Sequence, residues 1–517
     1  MSANAAQAPS GARETFSSRS AFLFAAIGSA VGLGNIWRFP YVAYTNGGGA
    51  FIIPYLVALL TAGIPLLFLF YAIGHRYRCA PPLAFRRLHG GSELIGWWQV
   101  LICFVICTYY AAVIAWAMAY VGFSLTQAWG SDPGAFFIGS FTRTSKDVTV
   151  GFDFVPGVLG PMAVAWVITI AVLALGVQKG IARLSMVFMP LLVVAFALLV
   201  VQALMLPGAG KGLDALFTPH WAKLADGSIW MAAYGQIFFS LSIGFGIMIT
   251  YSSYLKHKSD LTSTALVVGF SNSAFEVLAG IGVFAALGFM ATQAGKPVSE
   301  VATSGVGLAF IGFPAIISEA PFGTVLGVLF FASLVFAGFT SMVSIVEVVI
   351  AAITDKLGLN RVSATLLTGI PCAVISLALF ATTTGLNLLD VVDAFVNSFG
   401  IVAVSLVIVI WLGVGIGSLP MLRDHLNSVS SFKVGRKWQL LVGGVTPVIL
   451  GHTLIESVSD RLLNGYGGMP DWFVGVFGWG MAIGLVVLAW LLARIPWRPG
   501  SVGDRAAADA AQRRAAP

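Results

Sequence analysis

Charged residues make up only 9% of this 517-residue sequence, and only four cysteines and six histidines accompany them. So little charge excludes an ordinary soluble enzyme of this length. Cys79, Cys103, Cys107 and Cys372 fall in or beside apolar runs and not in a spaced framework. That pattern argues for packing over a disulfide or metal scaffold, although Cys103 and Cys107 would share a helix face. No histidine or cysteine cluster has metal-ligand spacing, and no Walker-type phosphate loop is present. ATP hydrolysis is therefore not expected, and with no clustered nucleophile and base the chain does not read as an enzyme.

What the sequence has in abundance is hydrophobicity, at 58% of residues and a mean hydropathy of +0.92. Membrane-length apolar runs lie near residues 20–44, 49–74, 95–128, 159–177, 184–206, 229–254, 262–291, 323–353, 363–382, 389–417, 438–458 and 472–495. The pattern predicts an all-α polytopic membrane protein of twelve spans. With the N-terminus inside, Arg13, Arg19, Arg76, Arg78, Arg86, Arg87, Lys256, Lys258, Arg436, Lys437, Arg505, Arg513 and Arg514 fall with most other basic residues on the cytoplasmic side. Arg143, Lys146, Lys211, Lys223, Lys296 and Arg461 fall outside. This bias predicts a multi-pass protein of the cytoplasmic (plasma) membrane with both termini cytoplasmic, in contact with lipid. It also accounts for the net charge of +7 without nucleic acid. The first span is too long, and wrongly flanked, for a cleaved signal peptide.

The stretch GSAVGLGNIWRFP, residues 28–40, sits in the middle of the first span. Gly28, Gly32 and Gly34 weaken the helix where hydrocarbon offers no water to a bare backbone, so a break there should line a cavity. The sixth run, QIFFSLSIGFGIMITYSSY, repeats the theme with Gly244 and Gly246. Two glycine-interrupted helices in matching positions of two halves point to a transporter site. Elsewhere Gly63 and Pro65 predict a bend in the second span, and Pro190 a local break in the fifth. The segment at residues 129–160 reads as a loop, residues 305–323 as a hairpin or re-entrant lid, and the last two spans as peripheral, with His452 and Glu456 on one face.

GSAVGLGNIWRFPY followed by NGGGAF, with the match at residues 236–254, resembles the neurotransmitter:sodium symporter family, in particular its bacterial amino-acid transporters of the leucine-transporter type. The resemblance runs from about Arg13 to Trp497. It implies a 5+5 inverted repeat with discontinuous first and sixth helices. The divisions are a tail at 1–19, repeats at 20–206 and 226–417, helices eleven and twelve at 435–495, and a cytoplasmic tail at 496–517. It further implies a sodium-coupled importer of a neutral, apolar amino acid, working by alternating access without chloride. A carrier of glycine, a β- or γ-amino acid or a related carboxylate osmolyte, and a non-transporting amino-acid receptor, remain alternatives. Oligomeric state is left open.

Carried over residue by residue, the resemblance implies two sodium sites. One would use the Ala30 carbonyl with Asn35, Asn272, Ser240 and the substrate carboxylate. The other would use the carbonyls of Gly28, Val31 and Ala337 with the hydroxyls of Thr340 and Ser341. The substrate carboxylate would meet the amides of Leu33 and Gly34 and the Tyr110 hydroxyl, and its ammonium the region of Phe239, Ser240 and Ser242. Ile106, Phe245, Ser341 and Ile345 would surround its side chain, with Phe239 as a lid against Tyr110. Gly32 stands where monoamine carriers of the family have an aspartate, which favours a substrate bringing its own carboxylate. Arg38 with Asp393, and Arg13 with Asp355, match the family's outer and inner gates. Glu276 stands where chloride-dependent relatives have a serine, so a fixed acid would replace the anion. Phe70 replaces a glutamate that bonds the unwound sixth helix; water or Glu347 would then have to serve the freed amides. Glu347 itself reads equally as buried polar packing or a proton-exchange group.

Overall fold

Long apolar segments that cannot leave backbone groups bare in hydrocarbon fold as helices, and helices dominate the computed structural model, which describes residues 13–302 and 305–498. The expectations for residues 1–12 and 499–517, Arg505, Arg513 and Arg514 among them, lie outside the described residues. Ten described helices are long and apolar enough to span a membrane, and the bent pair Arg19–Ala30 and Leu33–Thr45 makes an eleventh span. The expected sixth span is divided further, into Gly227–Ser240 and Ile247–Ser252. Together these account for the twelve runs.

The second span, Gly49–Tyr77, is continuous and widens into a π-helical turn at Leu59–Gly63 just before Pro65, where the sequence suggested a bend. The fifth, Val177–Leu204, does not break at Pro190: the helix runs on, because proline removes only one donor and neighbouring turns keep theirs. The third span, Gly90–Thr126, and the eighth, Gly323–Leu357, form the centre of the bundle. In contrast the apolar windows of Arg436–Asn464 and Asp471–Arg494 are only 17% buried, so these two spans are peripheral. His452 and Glu456 lie 3.9 Å apart on that exposed surface.

The segment read as a plain loop at 129–160 is instead a packed cap. Phe136, Phe137 and Phe141 gather around Tyr120, and Phe310 and Phe331 join the same cluster. This ties the cap to the third and eighth spans and to the short apolar helix Gly305–Glu319, in the stretch expected to form a hairpin or re-entrant lid.

Candidate functional site

The first span breaks at residues 31–32 and bends by 54°. The Asn35 side chain accepts the Gly32 amide at 2.9 Å. That leaves Leu33 and Gly34 to open the next helix, where first-turn amides have no intrahelical acceptor. The sixth opens over residues 241–246, with Ser242, Gly244 and Gly246 at φ +52°, +89° and +77°. Left-handed backbone is costly for side chains, so two glycines here are a conformational requirement. The breaks meet: the Ser242 hydroxyl donates to the Ser29 carbonyl at 3.3 Å, and the Phe239 ring packs against Gly34.

Around the first break the structure gathers the residues expected for one sodium site. Asn35 donates to Asn272 at 2.8 Å, and Asn272 to Ser240 at 2.9 Å; Ala30 lines the adjoining cavity. The second expected set is also brought together in part. Ser341 Oγ lies 3.5 Å from the Gly28 carbonyl, and Thr340 donates to the Ala337 carbonyl at 3.0 Å. Val31, whose carbonyl would belong to that set, ends the first half-helix at the break. Both sets consist of neutral oxygens, the donor chemistry a hard monovalent cation prefers. The Ser341–Gly28 separation is long for a hydroxyl–carbonyl bond and suits two oxygens turned toward one ion. Thus the residues fit sodium.

Between the breaks lies a cavity of about 230 Å³. Every residue expected to touch substrate lines it: Ala30, Leu33, Gly34, Ile106, Tyr110, Phe239, Ser240, Ser242, Phe245, Ser341 and Ile345. Val113 and Ile247 add to its apolar lining; Trp37, Tyr109, Asp390, Asp393 and Asn397 line it as well. Sequence reasoning did not single out Trp37, Val113, Ile247, Asp390 or Asn397 for the site. Helical spacing from Ile106 and Tyr110 would have reached Val113, and spacing from Asp393 both Asp390 and Asn397. Phe239 does not stack on Tyr110: the Arg38 guanidinium covers its face at 4.5 Å. The lid therefore leans on the cation and not on the tyrosine.

Glu276, fully buried in the seventh span, is held by two donors. Gln236 donates at 2.6 Å, Tyr55 donates directly to the carboxylate, and Tyr55 also reaches Ser273 at 2.8 Å. Gln236 and Ser240 share the first half of the sixth span, so this acid sits next to the Asn35–Asn272–Ser240 set.

At the end of the bundle nearest residue 13, Arg13 binds Asp355 through both carboxylate oxygens at 2.8 and 2.9 Å, and Ser253 at 2.9 Å. Burial pulls the Arg13 guanidinium pKa down, but the charges of Asp355, Tyr254 and Cys79 and the hydrogen bond to Asp355 together raise it, so the arginine stays ionised. At the other end Arg38 and Asp393 form no ion pair among the described residues. Asp393 accepts Tyr109 at 2.6 Å and Asn397 at 2.8 Å instead.

Glu347 does not serve the sixth break in place of the missing acid at Phe70. It accepts Tyr254 at 2.6 Å and both terminal nitrogens of Arg361, at 2.8 and 2.6 Å. Tyr254 in turn lies under Arg13, at 4.8 Å, which joins this buried pair to the Arg13–Asp355 contact. Of the two readings of Glu347, buried polar packing describes the contacts seen.

The description "Sodium:neurotransmitter symporter family" matches residues 13–135 and 132–498. An uncharacterized sodium-dependent transporter of Methanocaldococcus jannaschii is 43% identical over 470 residues, 90% of this chain and 94% of that protein. The sodium- and chloride-dependent glycine transporter 2 of Xenopus laevis is 29% identical, over 90% of this chain and 67% of its own. Among solved structures, MhsT in complex with L-phenylalanine is similar, with a TM-score of 0.72 and 30% identity, over 86% of this chain and all of that one.

Proposed function

The chain belongs to the sodium:neurotransmitter symporter family and is an integral multi-pass membrane protein, a sodium-coupled transporter and not an enzyme. From that premise we propose that it imports a neutral, apolar amino acid with sodium by alternating access, independently of chloride. The observation that carries this reading is the cavity between the two breaks. One side offers helix-start amides at Leu33 and Gly34 and the Tyr110 hydroxyl, suited to a carboxylate. The other is walled by Ile106, Val113, Phe245, Ile247 and Ile345. That apolar wall suits a hydrophobic side chain. The phenylalanine bound by the similar MhsT agrees with that choice.

Chloride independence is supported by Glu276, a fixed acid beside the first sodium set with its lone pairs occupied by Tyr55 and Gln236. Two sodium sites are supported by the two oxygen clusters, at Ala30, Asn35, Ser240 and Asn272 and at Gly28, Val31, Ala337, Thr340 and Ser341. Two ions falling through ~100 mV and a tenfold gradient release roughly 7 kcal/mol, enough for about a 10⁵-fold gradient of a net-neutral substrate. The Arg13–Asp355 contact would then close the cytoplasmic end, while Arg38 and Asp393, apart here, would close the outer one. The placing of the basic residues supports both tails on the cytoplasmic side. A 5+5 repeat would put the two breaks in equivalent positions.

Uptake of labelled amino acids into proteoliposomes tests this reading. Accumulation under an inward sodium gradient with chloride replaced by gluconate is expected, and none with potassium in place of sodium. Sodium-dependent binding without accumulation would overturn coupled transport; accumulation only when chloride is restored would overturn the role given to Glu276.

A further inference from the structure

The open segment of the sixth span frees main-chain groups at a depth where water cannot serve them. Two of its carbonyls are met from the third span. Gln99 Nε2 donates to the Gly244 carbonyl at 3.0 Å, and Cys103 Sγ, one turn on, to the Phe245 carbonyl at 3.0 Å. Both side chains are fully buried. On the far side Ser405 of the tenth span occupies the place a Gly244 side chain would take, so the segment is pinned between two helices. Gln99 Oε1 has no partner among the described residues and lies beside Gly246, where an added Cβ would come within 3.5 Å of it.

Gln99, Cys103, Ile106 and Tyr110 recur at helical spacing along one face of the third span. The last two line the cavity. The first two hold the backbone next to and at Phe245, whose ring also lines it. We propose that Gln99 and Cys103 are positioning residues that fix the Phe245 ring in the cavity and thereby set which substrate side chains it accepts. This deepens the amino-acid reading above and rests on it. A thiol is a weak donor, so losing it leaves the fold in place while freeing the Phe245 peptide to turn.

The test is equilibrium binding to the purified full-length protein in sodium, with alanine, leucine and phenylalanine as ligands. Cys103→Ala and Gln99→Leu are expected to change the phenylalanine-to-alanine affinity ratio by roughly three- to tenfold, the worth of one hydrogen bond. Cys103→Ser, which keeps a donor, should restore the wild-type ratio, and the sodium concentration for half-maximal binding should not move. An unchanged ratio in Cys103→Ala overturns the inference. So does an equal weakening of all three ligands together with sodium, which a merely structural role would produce. If Gln99→Leu does not fold, the Cys103→Ala and Cys103→Ser pair decides alone. Wild-type protein that binds none of the three would instead overturn the amino-acid reading itself.

Discussion

The first span interrupts its helix over residues 31–32 with extended backbone, Gly32 having φ −122° and ψ −168°, whereas the sixth opens over residues 241–246 with three residues in left-handed conformation. Any residue tolerates the backbone at Gly32. A Cβ there would nevertheless stand 3.2 Å from the Ser341 hydroxyl and 3.6 Å from that of Tyr110. At Gly244 the backbone itself requires glycine, and an added Cβ would also lie 3.0 Å from the Ile401 carbonyl. The same residue type thus leaves space for a ligand at one break and permits a conformation at the other.

The comparison is most easily broken at Gly244. Gly244→Ala should destabilise the protein by about 1–3 kcal/mol from backbone strain alone, with further loss from the Ser405 and Ile401 contacts. Thermal unfolding in detergent would show a lowered midpoint, and uptake would be lost. Gly32→Ala should leave that midpoint close to wild type, within ~0.5 kcal/mol, and weaken substrate binding about ten- to a hundredfold. Equal thermal effects at the two glycines would erase the distinction.

The residues between the breaks sharpen it. Glu276→Gln should raise the sodium concentration needed for half-maximal binding about tenfold, since a buried carboxylate is worth a shift of this order in a neighbouring cation's affinity. Glu276→Ser should in addition make uptake respond to chloride. Removing sodium should lower the unfolding free energy by about 2.7 kcal/mol relative to a hundredfold excess over its dissociation constant. Asn272→Ala should reduce that difference, measured as the shift in thermal midpoint on adding sodium. The smallest effect belongs to the contact of the sixth span with the outer arginine. Phe239→Leu keeps an apolar cover but removes the ring under Arg38, worth about 0.5–1 kcal/mol, so substrate affinity should fall only two- to fivefold.

Much of the site was legible because its signals are local. Glycines at mid-span announce a break by weakening the helix, and the resemblance then placed Asn35, Ser240 and Asn272, which the structure links through Asn272, at 2.8 Å to Asn35 and 2.9 Å to Ser240. Residues whose role depends on a distant partner were not legible. Pro190 promised a break that the surrounding helix absorbed. Glu347 had two open readings until Arg361, on the next span, was seen to bind both its oxygens. Phe70 raised a question about the freed amides of the sixth break, and what the structure shows instead is two of that segment's carbonyls met by Gln99 and Cys103, from a different span.

The sequence by itself determined the membrane class, the number of apolar runs, the two breaks and the chemistry of the residues around them, because each follows from composition or from preferences within a few neighbouring residues. Only the tertiary structure decided which carbonyls are already satisfied, which charged pair is closed and which stands apart, and how large a cavity the breaks enclose. Those depend on distances between helices far apart in the chain, set by packing across the whole bundle.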